Sequence, residues 1–477
     1  MKPEIILNPD FPTESNVPYD GVALIADPIH GYITFTVPYS SDPFSEQTEK
    51  DLIDSPWVQR LRSIYQLQSA HWVYPSAEHS RFQHSLGTMH LAGRFAKSLY
   101  PTLRETVKDL PSEAFIEELL RITALLHDIG HGPFGHFFDH HFLKQYNLTH
   151  EHLGQVIVRE HLAPIIRNLT RSPSALFAPG EKLEPDYIAF LILKDPHKAI
   201  LNYPRWLTIL QPIIGGVYTA DNCDYVLRDS YMCGVAIGPI DIDRLLHYSF
   251  FSPKGLTIHQ AGLPALQMFL NARLYLYSNV YYHRTTRAID IHLQEIFHQT
   301  MKFLFPYNPL DRMESYLTLT DWSVSESVRQ WPLTCHRIKK RLGLEWARIL
   351  NRDVKWKMAY STLLPTQWDH KKPRIVDPEK FESHLRKLLP LHLKNVEFRI
   401  DMAHKDPRPI NLLNMGGFQI FVYEPARKKV EKESLKKFFD YLPAQLIQFR
   451  IFTRHHQADS DIALAAETIL REMRLHT

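Results

Sequence analysis

One stretch constrains this chain more than any other. Leu119-Leu120-Arg121-Ile122-Thr123-Ala124-Leu125-Leu126 runs into His127-Asp128-Ile129-Gly130-His131-Gly132-Pro133-Phe134-Gly135-His136. The apolar positions predict a buried helix. Its last turn carries an imidazole next to a carboxylate, Gly130 is expected to end it in left-handed backbone, and Pro133 is expected to keep a new helix from starting nearby. An acid and an imidazole at the end of a core helix are costly unless something neutralises them. A divalent cation does so, because neutral imidazole nitrogen and carboxylate oxygen are both good ligands. His127 and Asp128 are therefore candidate metal ligands, and the rest of the set has to come from other segments.

Two segments can supply it. Ser80 and Gln83 have the spacing of a capping box, and the helix they open runs through Leu86, Met89, Leu91, Phe95 and Leu99, with His84 in its first turn. Thr219 to Asp229 predicts a helix ending near Gly234, with Asp221, Asp224, Tyr225 and Arg228 at i, i+3, i+4 and i+7 on one face. His84, His127, Asp128 and Asp221 would form a two-nitrogen, two-oxygen donor set with room for water. Blander readings stand beside this one. A buried histidine is more often a hydrogen-bonded core residue than a ligand, and Asp224 with Arg228 reads as an i,i+4 ion pair.

Elsewhere, Asn8 to Pro18 is loop-like, and Asp27 to Val37 reads as a turn and short hairpin. Glu46 to Tyr65 is helical and recapped at Asp54-Ser55-Pro56. Thr149-His150-Glu151-His152 starts a helix, Ser172 to Lys182 is a loop, and Pro264 to Phe297 reads as one long helix carrying Arg273, Tyr277, His283, Arg284 and Arg287. Val396–Ile400, Phe418–Val422 and Leu446–Phe452 look like strands of a small α+β unit at roughly 365–477. The division expected is an N-terminal segment with hairpin at 1–45, a catalytic core at 46–310, and a helical, then α+β, region at 311–477.

Composition removes several classes. A net charge of +3 is too small to indicate nucleic acid, and Lys428, Lys429, Lys432, Lys436 and Lys437 read as a solvated helix face. No apolar run reaches the roughly 18 residues of a membrane span, and Met1-Lys2-Pro3-Glu4 opens on no apolar signal core, so secretion is not expected. Three cysteines without paired spacing fit a reducing cytoplasm. The unusual feature is 27 histidines, many of them between His127 and His152. Of these His140, His141 and His152, and also His455 and His456, are read as structural or solvated.

Arg81-Phe82-Gln83-His84-Ser85, Leu126 to His136, Thr149-His150-Glu151 and Asp221 to Asp229, with Asp27-Pro28-Ile29-His30-Gly31 ahead of them, together resemble the HD-domain metal-dependent phosphohydrolases. The branch resembled is the deoxynucleoside triphosphate triphosphohydrolases, which include the vertebrate sterile-alpha-motif HD enzyme and bacterial relatives. The match runs in order from Asp27 to Asp290. It implies a mainly α fold, an HD-domain helical core with a smaller α+β C-terminal region. It implies a divalent metal (Mg, Mn, Fe, Ni, Co or Zn) on His84, His127, Asp128 and Asp221. The reaction implied is water attack at the α-phosphorus of a deoxynucleoside triphosphate, giving deoxynucleoside and inorganic triphosphate.

By the same resemblance His131, His136, Asp139 and His150 contact phosphate or transfer protons. Arg81, Arg273 and Arg284, with His283 beside the last, bind the triphosphate. Gln66, Leu67, Tyr225, Asp229 and Tyr281 meet sugar and base, Gln66 and Asp229 near the 3′-hydroxyl. The chemistry is coherent: arginine never deprotonates and grips phosphate oxygens bidentately, and a histidine near neutral pKa passes a proton to a leaving oxygen. His136, with Asp139 three residues on, is the candidate.

Asp54 and Arg62 match positions that hold an activating nucleotide in relatives, whereas Ala23 stands near the place of a lysine in the vertebrate enzyme. A nucleotide activator is thus a partner the resemblance allows for. With no sterile-alpha-motif domain ahead of the core a bacterial type is expected, and a homo-oligomer, dimer or tetramer, is expected to use the C-terminal region for contacts. Two other readings stay open: another nucleotide substrate (a guanosine polyphosphate, a dinucleoside polyphosphate or a nucleic-acid end), or a non-catalytic nucleotide- or nucleic-acid-binding module.

Overall fold

The computed structural model describes residues 19–41, 46–193, 203–238, 240–365, 377–405, 419–431 and 446–475. The loop-like Asn8 to Pro18 and three of the lysines, Lys432, Lys436 and Lys437, lie outside the described residues. Helix makes up 58% and strand 14%, so the protein is mainly α with a smaller α+β region.

The centre is a pair of helices, Arg81–Thr106 and Glu113–Leu126. The first opens on the expected capping box, with the Gln83 side chain accepting from the Ser80 amide at 2.9 Å. The second is capped by Ser112, whose hydroxyl accepts from the Phe115 amide at 3.3 Å, and is buried at every position from Ala114 to Leu126. Two of its charged residues are satisfied from outside, Arg121 donating to Glu49 at 2.6 Å and Glu117 accepting from Ser172 at 2.8 Å, whereas burial pushes the Glu118 carboxyl well above the usual carboxylate range. A third helix, Ala220–Cys233, packs on the first; Thr219 caps it, and Gly234 ends it at φ 66°.

The antiparallel hairpin Val22–Asp27 and Gly31–Thr36 packs through its second strand on helices Arg81–Thr106 and Glu49–Ile53. The main hydrophobic core continues past residue 310, taking in Tyr316, Val324, Trp331 and Trp346. A separate small core holds Phe381, Leu385, Phe449, Ile451 and Ile462, between the helices Pro378–Leu388 and Asp459–Leu475 and a three-stranded antiparallel sheet. In that sheet Leu446–Thr453 is central, flanked by Lys357–Pro365 and Phe398–Lys405.

The structure departs from expectation at five places. Gly130 is not left-handed; a Cβ there would lie 2.0 Å from the His150 carbonyl oxygen and 2.5 Å from the Gly154 nitrogen, so the requirement is close helix approach. Pro133 does not prevent a restart. Phe134 (φ 63°) and Gly135 (φ 55°) reverse the chain, and helix His136–His141 begins at once.

The span from Pro264 to Phe297 is two helices, Leu263–Leu276 and Arg284–Leu304, separated by a π turn at Tyr277–Tyr281 and an extended His283 (ψ 137°), whose ring accepts from the Thr285 amide. The strand at Phe421–Glu424 pairs in parallel with Gly255–His259 of the main body, outside the C-terminal sheet. Lys428 and Lys429 sit in a tight turn and the short strand Lys429–Glu431, where a helix face was expected.

Candidate active site

The folding together of these helices brings four side chains from three segments to one point. His84 comes from the first turn of Arg81–Thr106, His127 and Asp128 follow the end of Glu113–Leu126, and Asp221 sits in the first turn of Ala220–Cys233. His84 Nε2 is 3.3 Å from Asp221 Oδ1 and 3.9 Å from Asp128 Oδ2. His127 Nε2 is 3.3 Å from Asp128 Oδ1 and 3.8 Å from Asp221 Oδ1. Ligand atoms of His84, His127 and Asp221 all lie within 4.8 Å of one another.

The other ring nitrogens fix the tautomers. His127 Nδ1 lies 2.7 Å from the Ala124 carbonyl and so must carry the proton there, which directs the Nε2 lone pair at the two carboxylates. His84 Nδ1 lies 2.8 Å from Asp224 Oδ2. Lone pairs aimed at anionic oxygens repel them, and a cation between them turns repulsion into coordination. The donor set therefore fits a divalent metal. Burial alone would depress the His84 imidazole; hydrogen bonds to Asp221 and Asp224 reverse this and raise it to about 10, so a proton competes with the cation for Nε2. Burial disfavours charge on Asp128, yet His127, Arg81 and His131 hold its carboxyl well below the usual carboxylate range.

Asp224 is the hub behind the site. Fully buried, it accepts from Arg228 Nε and Nη2, each at 2.8 Å, and lies 2.7 Å from His30 Nε2. Arg228 in turn donates to Asp27 at 2.8 Å. The Asp27–Gly31 turn thus acts at a distance, through the support of His84. Gly87 makes room for this packing, since a Cβ there would lie 1.9 Å from Asp224 Oδ1. The i,i+4 reading of Asp224 and Arg228 is correct in spacing but misses their burial.

Next to the quartet stands a second group. His131 Nε2 is 3.4 Å from Asp128 Oδ1. Its ring stacks on His150 at 3.6 Å, and Asp139 Oδ2 is 2.6 Å from His150 Nδ1 and 3.3 Å from His136 Nδ1. Burial would lower His150, but the Asp139 carboxylate outweighs it and holds the imidazole above its ordinary value. His131 is pushed well down by burial and by the nearby Arg81 and His150. These four also offer ligand atoms within 4.8 Å of one another.

Both groups border one cavity of about 370 Å³. Of the expected substrate contacts, Gln66, Leu67, Arg81, Tyr225, Asp229, Arg273 and Tyr281 line it, together with His84, Asp128, Asp221, His136 and His150. Arg81 donates to Asp128 at 2.5 Å, Arg273 to the Tyr225 hydroxyl at 3.0 Å, and the Tyr281 hydroxyl to Asp229 at 2.5 Å. His127, His131 and Asp139 lie behind the cavity wall.

His283 and Arg284 do not line this cavity: Arg284 lies with Thr285 and Ala288 on a different face of helix Arg284–Leu304 from Thr286, Arg287 and Asp290. Arg284 lines a different cavity with Arg352 and Trp356, and His283 packs edge-on against Tyr74. The π turn instead presents Tyr277 and Tyr282, and Arg287 and Asp290 reach the cavity from the next helix. Of these, the sequence reading placed Tyr277 and Arg287 along the helix without assigning them to the site and did not find Tyr282 or Asp290. A histidine helix cap is a weak signal, and π turns have none in sequence.

Comparison with known proteins gives the class. The family described as HD domain matches residues 81–190, and the HD associated region matches residues 240–354. The chain carries an HD domain followed by an HD-associated region, and HD domains bind divalent metals. Among individual proteins, an uncharacterized protein of Methanocaldococcus jannaschii is 34% identical over 52% of this chain and 46% of its own length. An uncharacterized protein of Bacillus subtilis is 29% identical over 63% of each chain.

The deoxynucleoside triphosphate triphosphohydrolase SAMHD1 of Bos taurus is 29% identical over 58% of this chain and 47% of its own. The chain thus spans between about half and two thirds of these relatives. A crystal structure of a hypothetical protein from Aquifex aeolicus superposes with a TM-score of 0.66 at 25% identity, covering 93% of this chain and 99% of that one.

Proposed function

We propose that this protein is a metal-dependent phosphohydrolase that cleaves deoxynucleoside triphosphates to deoxynucleoside and inorganic triphosphate. The observation that carries the reading is the convergence of His84, His127, Asp128 and Asp221 on a cavity also lined by Arg81 and Arg273. The name of the bovine relative supports the substrate class.

When bound, the metal supplies Lewis acidity at a phosphoryl oxygen and lowers the pKa of a water. Arg81 and Arg273 grip the phosphates; neither can lose its charge, and both are oriented by partners within the wall. His150, kept protonated by Asp139, faces the cavity and donates a proton to the leaving oxygen, with His136 on the same carboxylate exchanging it with solvent. The hydrogen bond of Asp139 to His150 and the stacking of His150 on His131 favour proton transfer by this group over a second ligand shell. Gln66 and the Asp229–Tyr281 pair hold the sugar, and Tyr225 packs against it. The chain is further proposed to act as a homo-oligomer, checked by light scattering.

The test is a panel of deoxynucleoside triphosphates, ribonucleotides, guanosine polyphosphates and dinucleoside polyphosphates with Mn²⁺ or Mg²⁺, with products separated by anion exchange. Nucleoside plus tripolyphosphate from the deoxynucleotides is expected. Release of orthophosphate or pyrophosphate, or turnover confined to another class, contradicts the reading.

A further inference from the structure

The turn from His127 to Gly135 is buried, so its backbone polar groups need partners, and several come from outside the HD domain. The Tyr316 hydroxyl donates to the Gly130 carbonyl at 2.8 Å. Arg60 donates to the His131 carbonyl at 2.6 Å and, with its other nitrogen, to Leu319 at 2.8 Å. Asp321, the first residue of helix Asp321–Arg329 and 1% exposed, takes two more. Its Oδ1 accepts from the Phe134 amide at 2.7 Å and its Oδ2 from the Tyr65 amide at 2.8 Å.

Both anchored residues adjoin the cavity. Tyr65 precedes Gln66 and Leu67 in the wall. Phe134 has φ 63°, a left-handed conformation that a bulky side chain keeps only where its surroundings enforce it. Its neighbour Gly135 leads into His136, and a Cβ on Gly135 would lie 2.3 Å from an Arg81 nitrogen. The backbone at Gly135 therefore passes close against the Arg81 guanidinium.

We propose that Asp321 is a positioning residue: one carboxylate in the HD-associated region ties the cavity wall at Tyr65 to the strained turn at Phe134 and fixes the spacing between them. Asp321 is not among the residues lining the cavity; it acts on Gln66 and His136 through the backbone. The kinetic arm of the test rests on the proposed hydrolase activity, and the exchange arm does not.

Asp321→Asn keeps the shape but offers one oxygen for two amides, so one contact is lost whichever way the amide lies. Asp321→Ala loses both. Burial raises the carboxyl to about 7 against the pull of the two amide donors, Arg60 and Arg81, so comparison is made near pH 8, about one unit higher.

Hydrogen exchange read by mass spectrometry on the full chain should show raised exchange at 64–68 or 132–136 in Asp321→Asn and at both in Asp321→Ala. Bound Mn²⁺ should be unchanged. The kcat on whichever nucleotide the wild type turns over should fall on the order of 10- to 100-fold, the factor that loss of one charged hydrogen bond represents, with KM altered less. Wild-type exchange at both segments in Asp321→Asn overturns the proposal. So does raised exchange with kcat retained, which would make the contact merely structural. If the wild type turns over no nucleotide, the hydrolase reading fails, and the exchange result alone decides whether Asp321 holds the two segments.

Discussion

Asp224 Oδ2 lies 2.8 Å from His84 Nδ1, and both residues are buried. The contact turns the opposite nitrogen of His84 toward Asp221 and Asp128 and makes a residue outside the ligand quartet responsible for the orientation of one ligand. Asp224→Asn should therefore weaken divalent-metal binding by roughly 10- to 100-fold, the usual cost of removing such an outer partner. Competition titration with a chromogenic chelator measures this; unchanged affinity would remove Asp224 from the site.

Gly87→Ala tests the same packing from the other side. In an exposed helix this change stabilises by up to about 1 kcal/mol. Here the new Cβ would sit 1.9 Å from Asp224 Oδ1 and 2.3 Å from an Arg228 nitrogen. The expected outcome in urea unfolding is a loss of about 1–3 kcal/mol. A gain would show that Asp224 and Arg228 move aside freely.

The His150–Asp139 pair gives stability a defined pH dependence. His150 is held above its ordinary value, so its contribution is complete below about pH 6.5 and is lost as pH rises through the folded value. Asp139 is held below its ordinary value, so its contribution is complete above about pH 4 and is lost as pH falls through the folded value. The stability difference between wild type and Asp139→Asn should therefore be greatest between about pH 4 and 6.5 and shrink on either side. Urea midpoints across pH give the curve; a difference that grows above neutrality contradicts it.

Arg273→Ala should raise KM for a deoxynucleoside triphosphate by roughly 10- to 100-fold, the range for losing charge-assisted hydrogen bonds. Steady-state kinetics on the metal-loaded chain measures it. An unchanged KM would leave Arg273 with only its wall contacts to Tyr225 and Val217.

What the sequence made legible was local chemistry. Ser80 with Gln83, Ser55 before Pro56, and Gly234 after Cys233 each encode a helix end through nearest-neighbour geometry, and each stands where expected. Asp221 and Asp224 were readable as one face of a helix, but spacing cannot say that His30, distant in sequence, lies against the second.

Long-range registry was the part not legible. The parallel pairing of Phe421–Glu424 with Gly255–His259 depends on strands more than 150 residues apart. The kink before Arg284 depends on a π turn, which is a packing solution with no compositional mark. For the same reason Asp321, an ordinary first-turn acid in sequence, showed nothing of its two distant amide partners.

The most direct test of the central claim is elemental analysis of the purified chain after loading with Mn²⁺ and gel filtration, beside His84→Ala, His127→Ala and Asp221→Ala. The account predicts one tightly held ion per wild-type chain and a large loss in each variant, with near-native circular dichroism throughout. Full retention of the ion in all three folded variants would contradict it.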